Sequence, residues 1–334
     1  MRSKFTSLLF ILIICGLLLP PAHRAEGAAR FPGLVDSLRA EIGDRRMGVY
    51  VIPLDNPADA FGINPDAQVP AASAWKGGGL IYFFEYAPAE MVNSMPVEDW
   101  VHTDPTRVPR QYQKAVIQYG YILHDAYIMT VFSGNHEAGN VLAYVYRQLP
   151  DPKPKNPIVA FNNWGLSIGM TPESGMRMWM AGGTWSPAYR DSRYEHRQFF
   201  PGDKVPLYDQ TYSARDFAQF FYHLATVGKQ KGYYDQAAAL LEIRNKVVSL
   251  IEACPESALS TGMVTVTKDG YFRPDSGPEA HGHDVDNDAG LLVFPDGRTY
   301  VVAFTAFDSR DVSHDVVCKT IHAIVLDHGS QTTF

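Results

Sequence analysis

Ser73-Ala74-Trp75-Lys76 sets a hydroxyl and an amine three residues apart, which on a helix means one turn and one face. A serine hydroxyl is a weak nucleophile. An amine kept unprotonated by partial burial and positive neighbours can take its proton, and the helix dipole favours the negative charge that then develops. S-x-x-K is common by chance, so on its own the pair reads equally well as a Ser73 N-cap and a solvated Lys76. Support comes from Ser133-Gly134-Asn135, sixty positions after Ser73, and from Lys268-Asp269-Gly270 further on.

These residues need elements to position them. Phe31, Leu34, Val35, Leu38 and Ile42 share one helix face, which Gly43 closes. Residues 47–54 read as a strand, 55–60 as a turn with Asn56 and Pro57, and 61–64 as a second strand. From 73 to about 248 the apolar spacing is mostly helical, broken by Pro- and Gly-rich loops at 105–109, 150–157 and 182–206. Strand character returns at 263–267, 289–294 and 299–304, the last two flanking a Pro295-Asp296-Gly297-Arg298 turn in which Gly297 can take positive φ. Val312, Val316, Val317, Ile321, Ile324 and Val325 form a closing helix with Asp308 or Ser309 as N-cap. This order predicts an α+β fold, in which an antiparallel sheet is flanked by N- and C-terminal helices and an all-α lobe is inserted between its halves. The expected divisions are a leader at 1–29, α/β lobe at 30–72 and 259–334, and inserted lobe at 73–258, with ligand in the cleft between lobes.

The chain has 334 residues, 46% of them hydrophobic, and a net charge of −7. That excludes collagen, coiled coil and disorder. No basic run offers phosphate a footprint, so no nucleic-acid partner is expected. Arg2 and Lys4 precede an apolar run from Leu8 to Leu19, followed by Pro20, Pro21 and small residues. This is the layout of a secretory signal peptide, too short to span a membrane comfortably. Membrane contact is expected only if that signal stays as an anchor. Removing 1–29 takes away a net +2 and leaves −9, so the mature protein is expected to be acidic, monomeric and secreted or periplasmic. Its two remaining cysteines, Cys254 and Cys318, can pair in an oxidising compartment or remain two buried thiols.

S-x-x-K, S-D-N and K-T-G occur together in class A β-lactamases and penicillin-binding proteins, and all three appear here in that order in degenerate form. More of the chain resembles class A β-lactamases. Gly48-Val49-Tyr50-Val51, Ile63-Asn64-Pro65-Asp66 and Pro70-Ala71-Ala72-Ser73 precede the first motif. Residues 135–142 look like the helix after S-D-N, 211–217 like its T-x-x-x-R-D-hydrophobic segment, and Asn287-Asp288-Ala289-Gly290 like its N-D-x-G. The likeness spans roughly 31–328. It implies a serine hydrolase that cleaves an amide such as a β-lactam through an acyl-enzyme at Ser73, with no cofactor. Lys76 would be general base or proton shuttle, and Ser133 would relay a proton to the leaving nitrogen. Asn135 and Lys268 would orient Lys76 and Ser133 and hold positive potential over the substrate. The N–H groups of Ser73 and Tyr271, beside Gly270, would form the oxyanion hole. The same acylation step would also serve a D,D-peptidase acting on cell-wall peptide, or an esterase. A non-catalytic sensor on this fold is the third reading.

Three departures bear on activity. Gly77-Gly78-Gly79 inside the helix makes that turn loose or admits a close neighbour. Asp269 stands where the family has Thr or Ser, and a carboxylate there would repel an acidic substrate, implying a cationic or neutral one. No full E-x-x-L-N is present, and Glu195 is the best match for a deacylating Glu. Two competing motifs carry less weight. Gly134-Asn135-His136-Glu137 spells a metallophosphatase fragment without its upstream D-x-H and G-D-x-x-D. His281, His283, Asp284, Asp286 and Asp288 are ligand types in a run that more often marks a solvated loop, and no metal is expected.

Overall fold

The computed structural model describes residues 30, 31, 33–181, 184–194, 210–245, 254, 262–273 and 283–331. The expected leader, Glu195 and His281 lie outside the described residues. In chain order the main elements are α1 (Leu34–Ile42), β1 (Arg46–Pro53), β2 (Phe61–Ile63), β3 (Val69–Pro70), α2 (Trp75–Tyr86), α3 (Gln113–Val131), α4 (Asn135–Gln148) and α5 (Pro157–Ser167). Then come β4 (Gly175–Met176), β5 (Met178–Ala181), β6 (Thr184–Arg190), β7 (Gln210–Tyr212), α6 (Ala214–His223) and α7 (Tyr234–Asn245). The chain closes with β8 (Val264–Phe272), β9 (Val285–Val293), β10 (Thr299–Phe307) and α8 (Arg310–Gln331).

Five strands form an antiparallel sheet in the order β2-β1-β10-β9-β8. Every residue of β10 is buried, because both faces of the sheet are covered. Val302 and Phe304 join Val49 and Val51 of β1, Leu38 and Ile42 of α1, and Val317 and Ile321 of α8. Val301 and Ala303 face the other way, into the cluster that holds Tyr50, Leu80 of α2 and Phe217 of α6. Two-sided burial removes apolar–polar alternation, so 299–307 reads as a continuous apolar run. Strand β9 begins at Val285, four residues earlier than the apolar pattern indicates, because Asp286, Asn287 and Asp288 are buried polar residues that interrupt it. From Ser73 to Asn245 the described chain is mainly helical but also forms the β5–β6 hairpin and strands β4 and β7, which join β3 in the small sheet β3-β7-β4. These strands of two to seven residues are too short to impose a readable period.

Gly77, Gly78 and Gly79 are buried and mark a close approach, not a loose turn. A Cβ on Gly78 would lie 2.6 Å from the Phe220 ring, and one on Gly77 would lie 3.0 Å from both Lys268 Cβ and the Phe221 ring. The glycines let α2 come close to β8 and α6. At the far end of α2, Glu85 accepts a hydrogen bond from Trp164 Nε1 (3.0 Å) and lies 2.7 Å from His223 Nε2 and from Lys231 Nζ. Burial alone would raise this carboxyl, yet those partners hold it at about 2. Cys254 and Cys318 are joined by a disulfide that ties α8 to the chain 64 residues before it. Among the described residues no helix is long and apolar enough to cross a membrane.

Replacing Gly78 by Ala should destabilise the protein by about 1–3 kcal/mol in urea unfolding, even though Ala is the better helix former by ~1 kcal/mol. An unchanged midpoint would show that the Phe220 ring gives way freely. Removing the disulfide with the paired variant Cys254→Ser, Cys318→Ser should lower the unfolding free energy by about 2–4 kcal/mol under non-reducing conditions. A double variant as stable as the native chain would disprove that contribution.

Candidate active site

The Ser73 turn is held from the sheet. Ala72 takes φ 48°, a left-handed conformation that costs a non-glycine residue about 1–3 kcal/mol and persists only where surrounding structure imposes it. Here Asn287 Nδ2 donates to Pro70 O (2.7 Å) and Ala71 O (3.1 Å), and Gln210 Nε2 donates to Ala72 O (3.3 Å). Asn287 is fully buried, and its Oδ1 accepts the Ala306 N–H of β10 at 3.3 Å. Helix α2 then starts at Trp75 without a side-chain cap, so the Ser73 hydroxyl is not taken up in capping. It stays half-exposed.

Lys76 is completely buried. Its Nζ donates to Ser133 O at 2.5 Å and to Asn135 Oδ1 at 2.6 Å, and Ser73 Oγ lies 3.0 Å away. Ser133 Oγ is more distant, at 3.4 Å. Two strong acceptors match the two N–H groups of an uncharged amine, which leaves the lone pair for Ser73. Burial and then the charge of Lys268 push this amine well below the usual lysine range, against the opposing pull of Asp269. The second cluster makes this possible through its own strain. Ser133 has φ 61° between α3 and α4, and Gly134 N–H bonds back to Ile128 O at 3.0 Å, turning the Ser133 carbonyl onto the amine.

The third cluster lies on β8, at the edge of the sheet. A Cβ on Gly270 would come 2.1 Å from Ala74 N and 2.5 Å from Ser73 N, so only glycine lets this strand meet the Ser73 turn. Tyr271 follows, 47% exposed. Lys268 is buried and donates to Asp269 O (2.6 Å) and Oδ1 (3.2 Å), making no bond to Ser133 among the described residues. The expected role of Lys268 in orienting Ser133 is therefore corrected, and its influence on Lys76 is through charge. Asp269 is corrected too. Instead of presenting a free carboxylate, it takes both Nε and Nη2 of Arg244, each at 2.9 Å. Burial would raise its pKa, but Lys268 and Arg244 outweigh that and hold it below the usual carboxylate range.

Arg244 had no signal in the sequence as a site residue. It is buried at the end of α7, and its remaining Nη1 donates to Val131 O at 2.8 Å, so one guanidinium joins the approach to the second cluster to the third. Trp179 was also missed. Its Nε1 donates to Asn135 O (3.1 Å), its ring centroid lies 5.9 Å from Lys76 Nζ, and it packs edge-on against Trp75. A run of aromatic and Met residues at 176–180 is indistinguishable from core filling without tertiary contacts.

Of the ligand-type run, His281 lies outside the described residues and the others have separate surroundings. His283 lies 2.7 Å from Asp308, whereas Asp286 and Asp288 are buried in β9, Asp288 opposite Asp269. Among the described residues the one three-ligand grouping is Cys254, His314 and Cys318, and its two sulfurs are bonded to each other. No described carboxylate bonds to Ser73 or Lys76, and Glu195 lies outside the described residues.

No family model matches the chain, and no curated protein matches it. Solved structures do. A class A β-lactamase from Bacteroides cellulosilyticus DSM 14838 aligns with TM-score 0.55 at 14% identity, over 90% of this chain and 99% of that one. A class A β-lactamase from Mycobacterium abscessus gives 0.55 at 16% identity, over 90% and 99%. A PBP-A variant in its acyl-enzyme complex with penicillin G gives 0.53 at 20% identity, over 92% and 99%. The chain thus has a β-lactamase-like α+β fold.

Proposed function

We propose that this protein is an extracytoplasmic serine hydrolase that forms an acyl-enzyme at Ser73. One observation carries the reading: the Ser73 hydroxyl lies 3.0 Å from a completely buried lysine amine whose other two close partners are both acceptors. In the acylation step the Lys76 lone pair takes the Ser73 proton while Oγ attacks the substrate carbonyl. The N–H groups of Ser73 and Tyr271 receive the oxyanion. The bond to the leaving group breaks, and the proton on Lys76 reaches that group through Ser133 Oγ. Lys268 keeps the Lys76 amine neutral by its charge, and Asn135 fixes its direction. Water then releases the acyl group, with Glu195 as the proposed base. The leader-like N-terminus and the disulfide support placement outside the cytoplasm.

A D,D-peptidase or esterase would share the acylation step and differ in how fast water completes the cycle. Intact mass after mixing with β-lactams and activated esters separates the readings. Rapid product formation indicates a β-lactamase, a persistent adduct a slow acyl-enzyme, and no mass change a sensor.

Ser73→Ala should abolish labelling by such probes. Its stability should stay within about 0.5 kcal/mol of native, because the hydroxyl is half-exposed and among the described residues bonds only Lys76. An adduct on the same peptide of the Ala variant would move the nucleophile elsewhere. A general base must be unprotonated, so acylation should rise with pH through the Lys76 pKa and level off above it. Since that pKa is pushed down by burial and Lys268, the rising limb should fall well below ~10.4. Lys76→Arg should slow acylation by about a hundredfold or more. A limb at the ordinary lysine value would end the base assignment.

A further inference from the structure

We infer that Asp269 is a built-in occupant of an anion site beside Ser73, so the substrates are uncharged at the group that would reach it. The inference rests on the acyl-enzyme reading and names the substrate class for that same site. A guanidinium fork with an ammonium beside it is how proteins hold carboxylates, through paired charge-assisted bonds. That geometry is complete here. Arg244 Nε and Nη2 each reach Asp269 at 2.9 Å, and Lys268 Nζ reaches its Oδ1 at 3.2 Å. The side chains of Arg244, Lys268 and Asp269 are 8%, 0% and 6% exposed, so none is offered to solvent.

The filled site is one residue from Gly270, which touches the Ser73 turn. A substrate carboxylate arriving here would have to displace Asp269 or sit against it with like charge. A cationic group gains nothing either, since the charge of Asp269 is already paired. Strand alternation puts Tyr271 on the same face of β8 as Asp269. Its ring is exposed on that face, with the Arg273 guanidinium 4.8 Å from the ring centroid and 3.6 Å from Asp286, so that cation too faces a carboxylate. On the second cluster, Phe132 is 59% exposed immediately before Ser133. Neutral esters or amides carrying apolar or aromatic groups fit this surroundings.

The test uses two thioesters that deliver the same phenylacetyl group. One has thioglycolate as leaving group and carries a carboxylate; the other is its neutral methyl ester. In both, the Ser73 Oγ–carbon bond forms, the carbon–sulfur bond breaks, and the serine proton passes through Lys76 to the departing thiolate. The adduct is therefore identical, and each rate is divided by that of the same thioester with hydroxide in solution, which removes the difference in acidity between the two leaving thiols and leaves the charge. The native protein should acylate at least about tenfold faster with the methyl ester, and Asp269→Asn should raise the carboxylate-to-ester rate ratio by at least about tenfold by releasing Arg244 and Lys268. Equal or faster reaction of the carboxylate with native protein, with Ser73 labelled, would overturn this inference alone. A ratio unmoved by Asp269→Asn would do the same. If neither thioester nor a β-lactam labels Ser73, the acyl-enzyme reading falls and takes this one with it. Should Asp269→Asn fail to fold, the native ratio still decides.

Discussion

The exclusion of water from one amine governs this site. Lys76 has no exposed surface, and an ammonium in that position would lack most of its hydration, so the neutral form is favoured and a base is available next to Ser73. That state needs acceptors for the amine protons, and the Ser133 carbonyl and Asn135 amide supply them from the α3–α4 junction. It also needs a lid. Trp179 reaches over from β5, fixed by its bond to Asn135 O and its contact with Trp75. Helix, junction and hairpin thus meet at a single nitrogen.

Bringing them together puts strain on the backbone at two of the four described non-glycine residues with positive φ. Ala72 lies directly before Ser73, and Ser133 lies within the second cluster. Asn287 and Gln210 offset the first through bonds to successive carbonyls of 70–72. The glycines do the complementary work. Gly77 and Gly78 let α2 settle against β8 and α6, and Gly270 lets β8 touch the turn that α2 begins. A methyl group at Gly270 would collide with backbone, and at Gly77 or Gly78 a facing side chain would have to shift.

The buried charges show a similar economy. Lys268 and Arg244 bring two positive charges near Lys76, which help to hold its proton affinity down, and Asp269 makes their burial tolerable by pairing with both. The same carboxylate occupies the Nε and Nη2 donors of Arg244 and one of Lys268. Asp269 thus steadies the two buried cations while itself pulling the proton affinity of Lys76 back up.

Much of this was legible before folding is considered. Helix and strand periods located the terminal helices and central strands, and the order of the three clusters pointed to the fold, because such signals act within a turn or along one strand. A cysteine pair was legible as one of two possibilities, from an even count after the expected leader. Other features were decided by tertiary structure alone. The direction of Asp269 depends on Arg244, 25 residues away, and the shape of the Ser73 turn depends on Asn287, more than 200 residues away. Whether three glycines meant looseness or contact was settled by a phenylalanine ring on another helix. Sequence periodicity reports which face of an element is apolar. It carries no record of which distant polar group an Asp, Lys or Asn will meet, since those partners come within bonding distance only when the layers pack and water leaves.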